Sequence, residues 1–140
     1  MRLQSTMKNK GFTFIEVLVV TTIIAVLTMI GVTNFGVANK KARDGKRKGD
    51  LEQIRSALEL YYTDESDYPA SITFGNALAS ATETYMETIP EDPSSTQNYV
   101  YTYGDRSYDL YALLEIDTGD SYVGTDCGSD DCNYKVSNPL

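Results

Sequence analysis

The sequence has no histidine and no tryptophan, only two cysteines and four prolines among 140 residues, and just two basic side chains beyond Arg55. Without histidine it lacks the commonest general base and metal ligand near neutral pH. A lone pair of cysteines cannot complete a four-ligand zinc site without it. The shortage of cations is regional. Residues 56–140 hold 16 acidic and 2 basic side chains, a net of −14, whereas residues 1–55 hold 10 Lys and Arg and 4 acids. That acidic part is unsuited to nucleic acid, where cations must displace counterions. Carboxylates abound, but nothing supplies a base, a nucleophile and an oxyanion donor together, so no enzyme is expected.

What the chain does have is one long apolar run. From Phe12 to Val32 there are 21 residues and a single charge, Glu16. As a helix rising about 1.5 Å per residue this stretch is roughly 30 Å long, enough to cross a bilayer core. A carboxylate inside such a helix costs about 2.5–3.5 kcal/mol or more, so Glu16 calls for a partner. Three readings compete. A secretory signal cut at the small-x-small site Gly36-Val37-Ala38 is one, although the run is long and charged for that role. A plain single-pass anchor is another, and it leaves Glu16 unexplained. The third cuts the chain before Phe12. It creates an α-ammonium group four residues, about one helical turn, from Glu16. Between staggered copies that ammonium would neutralise the buried carboxylate.

Lys10-Gly11-Phe12-Thr13-Phe14-Ile15-Glu16, followed by an aliphatic run, resembles the class III signal of type IV pilins and pseudopilins. The resemblance implies that a prepilin peptidase cuts after Gly11 and N-methylates Phe12, and that Glu16 helps to set assembly. Residues 1–11 then form a leader carrying Arg2, Lys8 and Lys10 and no acid, with Met7 an alternative start to Met1. Residues 12–39 form a transmembrane and filament-core helix, and residues 40–140 a pilin-like globular domain. Implied partners are further copies of the chain, the peptidase, an assembly-platform membrane protein, minor pilins and the membrane. The resemblance also implies a precursor that sits in the cytoplasmic membrane with its C-terminal domain outside. The product is a surface pilus or a periplasmic pseudopilus.

About one hundred residues beyond the arm permit one small core. Leu51, Ile54, Leu58 and Tyr61 or Tyr62 recur at helical spacing. The chain from Arg43 to Tyr61 resembles the second half of the family's long first helix, so one helix is expected from about Phe12 to Tyr62. The basic run from Lys40 to Asp50 within it has three readings: a solvated face, contact with anionic headgroups, or pairing with acidic patches of neighbouring subunits. A short helix is expected around residues 75–79 and a rigid loop at Ile89-Pro90-Glu91-Asp92-Pro93. Residues 99–103 and 108–116 alternate as two strands about a Gly104-Asp105 turn. Tyr108, Leu110, Ala112, Leu114 and Ile116 would face the helix, and a third strand would lie at 121–123 or 133–136. The fold class is α+β: a long N-terminal helix packed on a small antiparallel sheet. All 11 tyrosines lie at or beyond Tyr61, and most are expected to pack in the core with hydroxyls at its rim.

The loop around Pro90 with the tyrosine-rich hairpin resembles the major pseudopilin of type II secretion. Outside the cytoplasm, Cys127 and Cys132 are expected to form a disulfide, with free thiols or a redox role as alternatives. Asp120, Asp126, Asp130 and Asp131 are candidate calcium ligands, a metal the pseudopilin family carries in this region. The family's ligand loop is not reproduced residue by residue, and solubilising surface acids are the alternative. The function expected is a structural subunit of a type IV pilus-like filament. The alternatives are the major pseudopilin of a secretion system, or a membrane-tethered binding module that never polymerises.

Overall fold

The computed structural model describes residues 11–116 and 119–138, and of residues 32–34 the backbone alone. Apart from Gly11, the expected leader lies outside them. Helix α1 spans Phe14–Glu65, starting and ending two to three residues later than the apolar pattern indicated. It ends at Ser66, whose φ of 62° reverses the chain as helix C-termini commonly do. The Ser66 amide still donates to the Tyr62 carbonyl at 2.8 Å. Two compact units divide the chain, one up to Ala38 and one from Asn39 on. By length and composition α1 is able to cross a membrane. In the first unit every described large apolar side chain is exposed, from Phe12 to Val37.

The second unit is built on the amphipathic part of α1. Leu51, Ile54, Ala57 and Leu58 are buried there, the face that the spacing indicated. Strands β1 (Leu78–Ala79) and β2 (Thr84–Met86) form one antiparallel pair. Strands β3 (Val100–Gly104), β4 (Ser107–Ala112) and β5 (Tyr134–Ser137) form an antiparallel sheet in the order β3-β4-β5. Tyr108, Leu110 and Ala112 of β4 alternate into the core with Val136, against the helix residues. This is the expected α+β, pilin-like arrangement.

Three local expectations change. Residues 75–79 are not helical. Gly75 takes a φ of 81°, which favours glycine. The Gly75 amide donates to the Ile89 carbonyl, and the Ile89 amide to Asn76, both at 2.8 Å. The hairpin turns one residue later than Gly104-Asp105, since Gly104 pairs with Ser107 and Arg106 takes the positive φ of 54°. The second strand stops at Ala112, so Ile116 is exposed although Leu114 is buried. Of the two places expected for a third strand the structure takes the second, as Tyr134–Ser137.

The tyrosines behave as their chemistry suggests. Tyr68, Tyr99 and Tyr108 are buried, with hydroxyls donating to carboxylates of α1. Tyr108 donates to Glu59 at 3.0 Å, Tyr68 to Glu59 at 3.1 Å and Tyr99 to Asp50 at 2.9 Å. Burial, then the adjacent Glu59, pushes the Tyr68 hydroxyl up to about 12.

Candidate processing and assembly site

Thr13-Phe14-Ile15-Glu16 begins α1 with a capping box. The Glu16 carboxylate accepts from the Thr13 amide and from the Thr13 hydroxyl, both at 2.8 Å. In return the Glu16 amide donates to Thr13 Oγ1 at 3.3 Å. Thr-x-x-Glu before an apolar run is a recognisable sequence signal, and attention to the charge of Glu16 alone overlooks it. Cutting between Gly11 and Phe12 leaves both residues of the box in place. At Gly11 nothing lies within 4 Å of where a Cβ would stand, so the glycine serves no packing among the described residues. Phe12 is almost fully exposed. Among the described residues, Gly11, Phe12 and Glu16 thus lie together where the apolar helix begins, and all three are exposed.

A second arrangement, within the domain, was not foreseen. Arg47 is fully buried. Its guanidinium binds Asp92 in a fork, Nε to Oδ2 at 2.8 Å and Nη2 to Oδ1 at 3.0 Å. Its Nη1 donates to Asp44 at 2.8 Å and to Glu115 at 3.1 Å. Arg43 forks onto Glu115 at 2.5 and 2.6 Å. Asp44 also accepts from the amides of Glu115, at 2.9 Å, and Ile116, at 3.0 Å. The paired forks are the strong geometry for arginine and carboxylate. Burial works to lower the Arg47 pKa, yet Asp92, Glu115 and Asp44 together hold it above its usual value. Arg43, with Arg47 and against the effect of burial, holds the Glu115 carboxyl down at about 2. The run from Lys40 to Asp50 thus sends two arginines inward to fix the Pro90-Glu91-Asp92-Pro93 loop and the end of the sheet region. The neighbouring Lys40 and Lys41 stay exposed.

A family model for the prokaryotic N-terminal methylation motif matches residues 6–32. A second, for type II secretion system protein G, matches residues 34–120, more than half of the chain. The chain belongs to the type II secretion system protein G family. Proteins named type II secretion system core protein G are similar to it. That of Escherichia coli (strain K12) is 29% identical over 120 residues, covering 77% of this chain and 83% of that one. That of Pectobacterium carotovorum subsp. carotovorum is 28% identical over 122 residues, covering 79% and 78%. That of Klebsiella michiganensis is 31% identical over 104 residues, covering 66% and 71%. No solved structure gives a significant match. These findings favour the secretion alternative over the pilus subunit expected first.

In this chain the region matched by the family model ends before the cysteines. Cys127 and Cys132 form the expected disulfide, with Cα atoms 5.2 Å apart, and both are buried. The bridge seats the C-terminal loop on residues 96–98: the Asn98 amide donates to the Cys127 carbonyl at 2.8 Å. Gly128, at a φ of 110°, passes so close that a Cβ would stand 2.6 Å from the Thr96 carbonyl oxygen. Asp126 and Asp131 face each other in an isolated bridge. Asp126 accepts from the Gly128 amide at 2.7 Å and Asp131 from the Gly124 amide at 3.2 Å. Asp120 and Asp130 are exposed. Among the described residues no group of three or more acidic, histidine or cysteine side chains gathers as a metal site.

Proposed function

We propose that this chain is a pseudopilus subunit of a type II secretion system. It enters the cytoplasmic membrane as a precursor with its leader inside and its acidic domain outside. A prepilin peptidase cuts between Gly11 and Phe12, and Phe12 is N-methylated. The apolar arm then leaves lipid and packs against the arms of further copies. The assembly platform and minor pseudopilins are the implied helpers. The role is structural, and we propose no catalysis and no metal requirement.

The observation that carries this reading is the uncovered arm: a helix whose described apolar side chains are all exposed and whose one charge lies four residues after Phe12. Lipid can cover such a surface, and so can identical arms. In lipid the Glu16 carboxylate has, among the described residues of its own chain, the Thr13 donors alone to offset its burial. A neighbour's Phe12 ammonium would offset it more fully.

The test is mass spectrometry of the amino terminus of protein taken from native membranes. The expected terminus is N-methylated Phe12, and Gly11→Leu should leave the leader attached. A native terminus at Met1, at Met7 or beyond Ala38 overturns the reading.

A further inference from the structure

One buried side-chain polar atom, Gln97 Oε1, has no hydrogen-bond partner among the described residues. Gln97 lines a cleft of about 250 Å³ together with Phe74, Glu91, Asp92 and Tyr99. Phe74 and Tyr99 meet edge to face at 5.8 Å in its wall. Asp92 is committed to Arg47 and to the Ser94 amide. Glu91 is exposed and forms none of the ion pairs found among the described residues. Its carboxylate lies over Gly75, where a Cβ would stand 2.8 Å from Oε1. The cleft therefore presents the unpaired Glu91 carboxylate beside two aromatic rings, with the buried Gln97 side chain in its wall. An ammonium group suits it, having three N–H donors, no acceptor and a favourable interaction with aromatic faces. An anion would meet Glu91.

The chain carries such groups. Arg43, Arg47, Arg55, Lys46 and Lys135 are engaged with carboxylates, and Lys48 lies over the Tyr134 ring. Lys40 and Lys41 are exposed and form none of these contacts. Lys41 precedes Arg47, which grips Asp92 of the cleft, by six residues, about 9 Å of helix. A second copy advanced by that distance along this segment brings its own Lys41 level with the cleft. Phe12 likewise precedes Glu16, so one direction of advance serves both pairings.

We infer that the cleft at Glu91 and Gln97 receives the Lys40 or Lys41 ammonium of a second copy in the filament. This rests on the polymer reading above, and the test separates the two. Processed full-length chains with normal and heavy nitrogen are assembled together and treated with a carbodiimide, which joins touching carboxylates and amines. Mass spectrometry should find an isotopically mixed cross-link from Glu91 to Lys40 or Lys41. That product should disappear in Glu91→Gln and in the Lys40→Gln/Lys41→Gln pair. Glu91→Lys should lower polymer yield several-fold at an unchanged domain melting temperature, and adding Lys41→Glu should restore it. Mixed cross-links that omit Glu91, Glu91 products confined to single chains, or unaltered yield in Glu91→Lys overturn the contact and leave the polymer standing. A total absence of mixed cross-links overturns the contact, and failure of the processed chains to polymerise at all sinks both.

Discussion

The two units of this chain treat their apolar and charged side chains in opposite ways. In the domain, Leu51, Ile54 and Leu58 are fully buried, and even a guanidinium, Arg47, finds carboxylates enough to be buried with them. In the arm, Phe14, Ile15 and Ile23 are exposed, and among the described residues Glu16 bonds to Thr13 alone. Most of the domain's buried groups are met within the domain, whereas the described apolar side chains of the arm are all exposed. A residue's worth in one unit should therefore be read by melting, and in the other by assembly.

The largest separation is expected from Glu16→Ala. Polymer should be lost while membrane insertion and domain melting stay as in the wild type. Wild-type polymer yield would break the contrast. Next comes Arg47→Met, which strands Asp92 without its only fork. Removing one partner of a buried ion pair costs about 3–5 kcal/mol, read as a lower midpoint in denaturant melts of the domain. A matched pair of truncations sharpens the point. Ile54→Ala should cost about 2–5 kcal/mol by leaving a cavity. Ile23→Ala should leave melting unchanged and show itself only in filament yield. Removing the disulfide as Cys127→Ser/Cys132→Ser should cost about 2 kcal/mol, since the bridge closes a short loop. The same melt with calcium and with a chelator should coincide.

Acid should give the smallest effect. The folded Glu115 carboxyl is held at about 2, below its unfolded value of about 4.3. Its contribution is therefore present in full above about pH 4.3 and is lost as the pH falls toward 2. Melting temperature should decline across that window, and less steeply in Arg43→Gln. An identical slope in both proteins would remove Glu115 from the account.

What could be read in advance follows from how local each signal is. The helix face of Leu51, Ile54 and Leu58 and the alternation of Tyr108, Leu110 and Ala112 are short-range patterns, and both hold in the structure. The N-terminal methylation motif is legible for the same reason, because its match covers the contiguous residues 6–32. The ion network was not, because Arg47 meets Asp92 across 45 positions and Arg43 meets Glu115 across 72. Nothing in a run of Lys and Arg tells which cations turn inward. The turn at Gly75 was missed because its partner, Ile89, is supplied by a distant loop. Ile116 broke the strand pattern because its amide is claimed by Asp44.

The clamp at Asp44 and Arg47 has a mechanical corollary. These residues lie in the domain's first turns of α1, ahead of Leu51 and the apolar core in the chain. Tension drawn along α1 from its N-terminal side would thus reach ionic forks before it reached grease. Forks of that kind resist shear through direction as well as strength, so the 90–93 loop and the segment at Glu115 would share the load with the helix instead of peeling from it.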